Sequence, residues 1–329
     1  MSANTSPVLR PGRCCPIAYR YGAASLARPP DLTADTLYAV GGLYGNPFAL
    51  RAVLELAARE RGARLVFNGD FNWFDIDDAG FVTINEEVLR HLAIRGNVET
   101  ELLSPDAAAG CGCGYPDYVS DADVGRSNAI MGMLAATAAR HPALAARLTD
   151  LPMSLVAQVG EAQVGIVHGD ADSLAGWGFA EEAINPAEVA AMFDAARVRV
   201  FASTHTCAAV AQVFETAAGP CALFNNGAAG MPNFAGATCG LVTRISVRPA
   251  PADVPALYGT TVAGLSVDAV ALDYDHAAWV ARFDRLWPAD SPAALSYRRR
   301  IINGPAYAFA KAVRAGIRPA RPATRKQAA

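Results

Sequence analysis

The sequence predicts an α/β fold, a layered and mixed β-sheet structure flanked by helices, and three observations predict it. Short apolar runs recur along the chain and each ends in Gly, Asn, Asp or His. Helical patterns lie between several of these runs, and two further stretches read as antiparallel hairpins. Alternation of this kind is satisfied by helices packed on a layered sheet, with the hairpins mixing antiparallel strands into it.

Taken in order, residues 1–34 are rich in Pro, Arg and small residues and suit an irregular arm lying over a core. The core is expected over 35–250. It opens with the run LYAVGG, followed by the helical pattern PFALRAVLELAARERG, then by the runs RLVFNGD and HLAIRGN. An insertion of about 100–150 comes next. Ser120 is placed to cap a helix there, and the helical pattern runs to Leu148 with an interruption at Pro142.

SLVAQVG and QVGIVHG flank Glu161 and Ala162 as a hairpin, AEVAAMFDAAR reads as a helix before VRVFASTHT, and VAQVFETAAGPCALFNNG reads as a second hairpin turning at its Gly-Pro. From about Pro251 to residue 329 a helical extension packed on the core is expected, carried by DYDHAAWVARFDRLW and YAFAKAVRAG, with a disordered basic tail.

Composition narrows the function classes. With 52% hydrophobic and 18% charged residues, the chain has material for a substantial core. A formal charge of −3 provides no basic field for nucleic acid. Neither an apolar run long enough to cross a membrane nor a secretory pattern is present, so a cytoplasmic location is expected. Seven cysteines, at 14, 15, 111, 113, 207, 221 and 239, are odd in number and irregular in spacing, which suits reduced thiols. Cys111 and Cys113 are closer than the C-x2-C spacing of zinc sites and have no second pair, so no metal is expected on them.

In open α/β sheets ligands bind beyond the carboxyl ends of strands. The polar residues that finish the apolar runs are therefore the candidates: Tyr44, Gly45 and Asn46; Gly69 and Asp70; Gly96 and Asn97; His168 and Gly169; Ser203, Thr204 and His205. Their oxygen and imidazole donors suit a hard or borderline divalent ion such as Mn, Zn, Fe or Mg.

The ordered blocks NGDFNWFD, RGNVE, VHGD, ASTHT and NNGAAGMP, spanning roughly residues 36 to 235, resemble the motif series of the calcineurin-like metallophosphoesterases. That resemblance implies a sandwich of mixed sheets. It also implies one or two divalent ions per chain, with Asp70 bridging, Asn97 and His168 on one ion and His205 on the other. The same residues would serve catalysis. Three positions depart from the pattern: Gly42 and Ser203 stand where Asp and His are expected, and Tyr44, where His is expected, would ligate only as a phenolate. Val98 also replaces a His near the leaving group.

Each candidate has a plainer reading, as a turn residue for Asp70 and Asn97, an interior histidine for His168 and His205, and a packing residue for Tyr44. Asp75, Glu99 and Asp170 lie beside the motifs as substitute carboxylates or solvated loop residues. Arg95 and Arg126 are candidate phosphate holders, Cys207 a candidate neighbour of His205, and the 100–150 insertion a candidate rim. Three functions follow: hydrolysis of a small phosphate monoester or diester through a metal-activated water, binding of a phosphorylated ligand without hydrolysis, or a different metal chemistry.

Overall fold

The computed structural model describes residues 10–13, 15–103 and 109–320; Cys14 and the expected basic tail beyond 320 lie outside the described residues. Along the chain the strands are β1 (Leu32–Ala34), β2 (Thr36–Val40), β3 (Arg64–Asn68), β4 (Leu92–Ile94), β5 (Ser154–Val159), β6 (Ala162–Val167), β7 (Val200–Ser203), β8 (Val210–Thr216), β9 (Gly219–Asn225), β10 (Gly240–Ser246), β11 (Ala256–Val262), β12 (Leu265–Leu272) and β13 (Arg318–Pro319). The helices are α1 (Pro47–Ala58), α2 (Asp78–Val88), α3 (Asn97–Thr100), α4 (Asp121–Ala138), α5 (Pro142–Thr149), α6 (Pro186–Ala196), α7 (His276–Leu286), α8 (Pro292–Asn303) and α9 (Phe309–Ala312).

The strands form a six-stranded sheet in the order β1-β5-β6-β7-β9-β8 and a seven-stranded sheet in the order β13-β11-β12-β10-β2-β3-β4. Both are mixed. Strands β2, β3 and β4 run parallel to one another, as do β6, β7 and β9, while β10, β11 and β12 are antiparallel neighbours.

Period-two alternation decides which side chains meet between the sheets. Leu37 and Ala39 of β2 join Val164 and Ile166 of β6 and Val200 and Ala202 of β7 in an inner cluster. Tyr38 and Val40 point the other way, into a second cluster with Leu50 and Val53 of α1, Phe81 of α2, Leu134 of α4 and Trp279 of α7. Because both faces of β2 are covered, all five of its residues are buried, which is why it reads as a continuous apolar run. On the far side of the six-stranded sheet, Val189 and Phe193 of α6 pack on Phe201 and Leu223, together with Leu26 from the N-terminal region.

The two expected hairpins form as β5–β6 and β8–β9. The second turns at Ala217 and Ala218, with Gly219 and Pro220 already inside β9, instead of turning at the Gly-Pro pair. Ser120 caps α4, accepting from the Asp123 amide, and α5 starts at Pro142.

Helix does not resume at Pro251. Residues 256–272 are the antiparallel pair β11–β12, and the helical stretch begins at His276. Ala263 and Gly264 both take positive φ at that turn, a geometry that Asn-Gly would have advertised and Ala-Gly does not. YAFAKAVRAG contributes only the single turn α9, because Val313 and Arg314 leave it to pair with Ala211 at the sheet edge. No helix among the described residues is long and apolar enough to cross a membrane.

Candidate metal centre

Parallel pairing brings the carboxyl ends of β3 and β4 in one sheet, and of β6 and β7 in the other, to a common edge where each chain segment leaves its strand. Asp70 follows β3, Asn97 opens the short α3 after β4, His168 follows β6 and His205 follows β7. All four are buried. Of five non-glycine residues with positive φ among the described residues, Tyr44, Asp70 and Cys207 lie here, and backbone held in this sparsely populated region is concentrated at functional sites. Gly96 permits the closest approach: a Cβ there would lie 2.4 Å from Asp70 Oδ1.

Four acceptor atoms converge. His168 Nε2 stands 3.3 Å from Asp70 Oδ1, 3.1 Å from Asn97 Oδ1 and 3.1 Å from His205 Nδ1. The ligand atoms of Asp70, His168 and His205 all lie within 4.8 Å of one another.

The partners of the remaining atoms fix the proton positions. His168 Nδ1 faces the Asn68 carbonyl at 2.8 Å and His205 Nε2 faces the Cys113 carbonyl at 3.0 Å, so each of those nitrogens donates. Asn97 Nδ2 donates to the Cys111 carbonyl at 2.9 Å, turning its Oδ1 inward. Two imidazole lone pairs, an amide oxygen and a carboxyl oxygen therefore face a common point, to which neither ring nor the amide brings a proton.

Burial pushes His168 down to about 4 and His205, which also faces His168, down to about 3, which keeps both imidazoles neutral near pH 7. Burial pushes Asp70 up to about 7, against the opposing hydrogen bond from the Val98 amide. A proton held by Asp70 would serve one nitrogen and leave the other facing it. A divalent cation would satisfy all four donors, and the backbone carbonyls that orient the imidazoles are the outer support such sites use.

The other candidates are placed differently. Ser203 Oγ donates to the Gly169 carbonyl at 2.6 Å. The Tyr44 hydroxyl meets Cys207 Sγ at 2.7 Å, and burial holds its pKa well above the usual phenol value, so it is a neutral phenol. A Cβ on Gly42, whose φ is +65°, would come within 2.8 Å of the Tyr44 ring. Tyr44 thus fills the space in which a carboxylate at position 42 would begin.

Glu99 is a buried clamp and not a solvated loop residue. Its two oxygens accept from the amides of Asp70, Phe71 and Gly96 at 2.8, 2.8 and 2.9 Å. Asp170 likewise accepts from the amides of Asp172, Ser173 and Gly178. Asp75 is buried against Arg282 at 2.8 Å. Arg95 donates to the Thr149 carbonyl and Arg126 to Ser296, with neither lining the site. NNGAAGMP backs the centre, with the amides of Ala229 and Gly230 donating to the carbonyls of Gly41 and Gly42.

A cavity of ≈ 120 Å³ opens over Asp70, Asn97 and His205. Its walls carry Tyr44, Trp73, Tyr115, Trp177 and Tyr297, and among the described residues no Lys or Arg lines it. The insertion reaches the cavity through Cys113 and Tyr115, while the buried residues of α4, such as Ile130 and Leu134, belong to the main core. Sequence reasoning missed two parts of the site. One is the loop of Cys111 and Cys113, which acts through its carbonyls. The other is the aromatic wall, whose members are too far apart in sequence to form a pattern.

No protein-family model and no curated protein matches the chain. Among solved structures, the metallophosphoesterase from Sphaerobacter thermophilus is similar over 83% of this chain and 100% of its own, with a TM-score of 0.54 at 16% identity. A hypothetical protein from Pyrococcus horikoshii OT3 is similar over 82% of this chain and 99% of its own, with a TM-score of 0.54 at 15% identity.

Proposed function

We propose, for a chain with the calcineurin-like metallophosphoesterase fold, that it is a phosphoesterase built on one divalent ion held by Asp70, Asn97, His168 and His205. The observation that carries this reading is the pair of facing lone pairs, His168 Nε2 and His205 Nδ1, beside two acceptor oxygens. An ion bound there would polarise a phosphoryl oxygen and acidify a water that attacks phosphorus. The protein's part is to fix the four donors: Glu99 holds the backbone of Asp70, Asn68 and Cys113 hold the imidazoles, and the cavity above admits the ester.

Such an ion would also be the cavity's main source of positive charge, since among the described residues no basic side chain lines it. A small phosphate monoester or diester is the substrate that suits this arrangement, with Mn, Zn, Fe or Mg as the ion. Incubation with Mn²⁺ followed by assay on p-nitrophenyl phosphate and bis(p-nitrophenyl) phosphate tests the reading. Metal-dependent turnover that disappears in His168→Ala supports it; metal bound with no turnover of either ester contradicts it.

A second reading is favoured by one observation, the filling of the second ion's place. Gly42 has no donor, Tyr44 is committed to Cys207, and Ser203 to Gly169. Without a second ion to clamp both attacking and leaving oxygens, the site would hold a phosphorylated ligand without cleaving it. Retention of unreacted phosphate ester by the Mn²⁺-loaded protein distinguishes this from hydrolysis.

A further inference from the structure

Several features of the aromatic wall act together. Tyr115 and Trp177 stand 5.9 Å apart in the cavity wall, and Trp73 and Tyr297 stand 6.4 Å apart, edge to face. Several of their polar handles are engaged elsewhere. The Tyr115 hydroxyl meets Ser127 Oγ at 3.0 Å, Trp177 Nε1 donates to the Cys113 carbonyl at 3.0 Å, and the Tyr44 hydroxyl meets Cys207. What Tyr115, Trp177 and Tyr44 offer an entering ligand is therefore chiefly ring surface.

Such a wall is unsuited to the hydroxyl-rich alcohol of a sugar or glycerol phosphate, which would lose hydrogen bonds to water without replacement. It suits a planar apolar group. The enclosed volume of ≈ 120 Å³ is below the about 150 Å³ of a cavity that takes a benzene molecule, so with the phosphoryl group at the metal centre a ring would lie partly in the open mouth. Tyr115, Trp177 and Tyr297 are only partly buried, so the cavity is open to solvent beside them and a larger group would project outward.

We infer that the site selects phosphate esters whose alcohol carries a single aryl ring next to the phosphoryl group, held against the Tyr115–Trp177 and Trp73–Tyr297 pairs. This rests on the proposed metal centre for placing the phosphoryl group, and it names the substrate class that the centre would serve. Offset or edge-to-face contact with two aromatic pairs adds to the burial of the ring itself, enough for a preference of about tenfold.

The test separates ring recognition from hydrolysis. Binding of phenylphosphonate and methylphosphonate, neither of which can be hydrolysed as an ester, is measured by calorimetry in Mn²⁺. Phenylphosphonate is expected to bind about tenfold more tightly, and Tyr297→Ala to lose most of that preference while methylphosphonate binding is unchanged. Equal binding of the two phosphonates overturns the inference. So does tighter binding of 2-(trimethylammonio)ethylphosphonate than of phenylphosphonate, which would make the wall a cage for a quaternary ammonium.

Benzyl and propyl phosphate, whose leaving alcohols are similar, then report on turnover. Hydrolysis of both at equal kcat/KM, with equal phosphonate binding, removes the inference and leaves the phosphoesterase reading standing. Selective phenylphosphonate binding with neither ester cleaved does the reverse.

Discussion

His168 Nε2 and His205 Nδ1 stand 3.1 Å apart, and the opposite nitrogen of each ring is committed to a backbone carbonyl. Neither ring can turn its proton inward without breaking that bond, so the pair is arranged for a cation.

Binding of Mn²⁺ should therefore stabilise the fold. A ligand at about 100 times its dissociation constant adds about 2.7 kcal/mol, which in a chain of this size corresponds to a rise of several degrees in Tm. The rise is expected in the wild type and absent in His205→Ala, measured by thermal denaturation with and without the ion. An equal rise in the variant would move the ion elsewhere.

Glu99 should matter to the metal without touching it. Glu99→Gln replaces one acceptor oxygen with an amide NH2 donor set against backbone N–H groups, those of Asp70 and Gly96 on one oxygen or that of Phe71 on the other. Leaving such a donor unsatisfied costs about 1–3 kcal/mol. Loosening the support of a ligand lowers metal affinity by about 10–100-fold. Unchanged Mn²⁺ affinity by calorimetry would show that the clamp serves the fold alone.

The second-ion positions should be repairable only together. Gly42→Asp alone places a Cβ 2.8 Å from the Tyr44 ring, in a left-handed backbone conformation that itself costs about 1–2 kcal/mol. Its Tm should fall, and adding Tyr44→His should recover part of the loss. The triple variant with Ser203→His should raise metal content from about one towards about two ions per chain. A folded triple variant that binds no more metal than the wild type would show that the pocket cannot take a second ion.

Much of the centre was legible because its four donors each close an apolar run, and strand ends in a parallel sheet meet at one edge. Asp70, Asn97, His168 and His205 are such residues. What supports them was not legible. The carbonyls of Cys111 and Cys113 carry no side-chain signature, and those cysteines drew attention to their sulfurs instead. Glu99 reads as a loop acid until the β3 turn folds back over it. In the fold, the β11–β12 hairpin was hidden by a turn of Ala263 and Gly264, and the arrest of helix after Ala312 is set by Ala211, a residue distant in sequence. Gly42 and Tyr44 look like two separate losses in the sequence, yet one ring fills the space beside the other residue.

Metal stoichiometry is the most direct measurement. A single centre predicts about one divalent ion per chain after Mn²⁺ loading and removal of excess, measured by elemental analysis, and close to none in His168→Ala/His205→Ala. A loaded wild type that retains no ion, or a double variant that retains as much as the wild type, would contradict it.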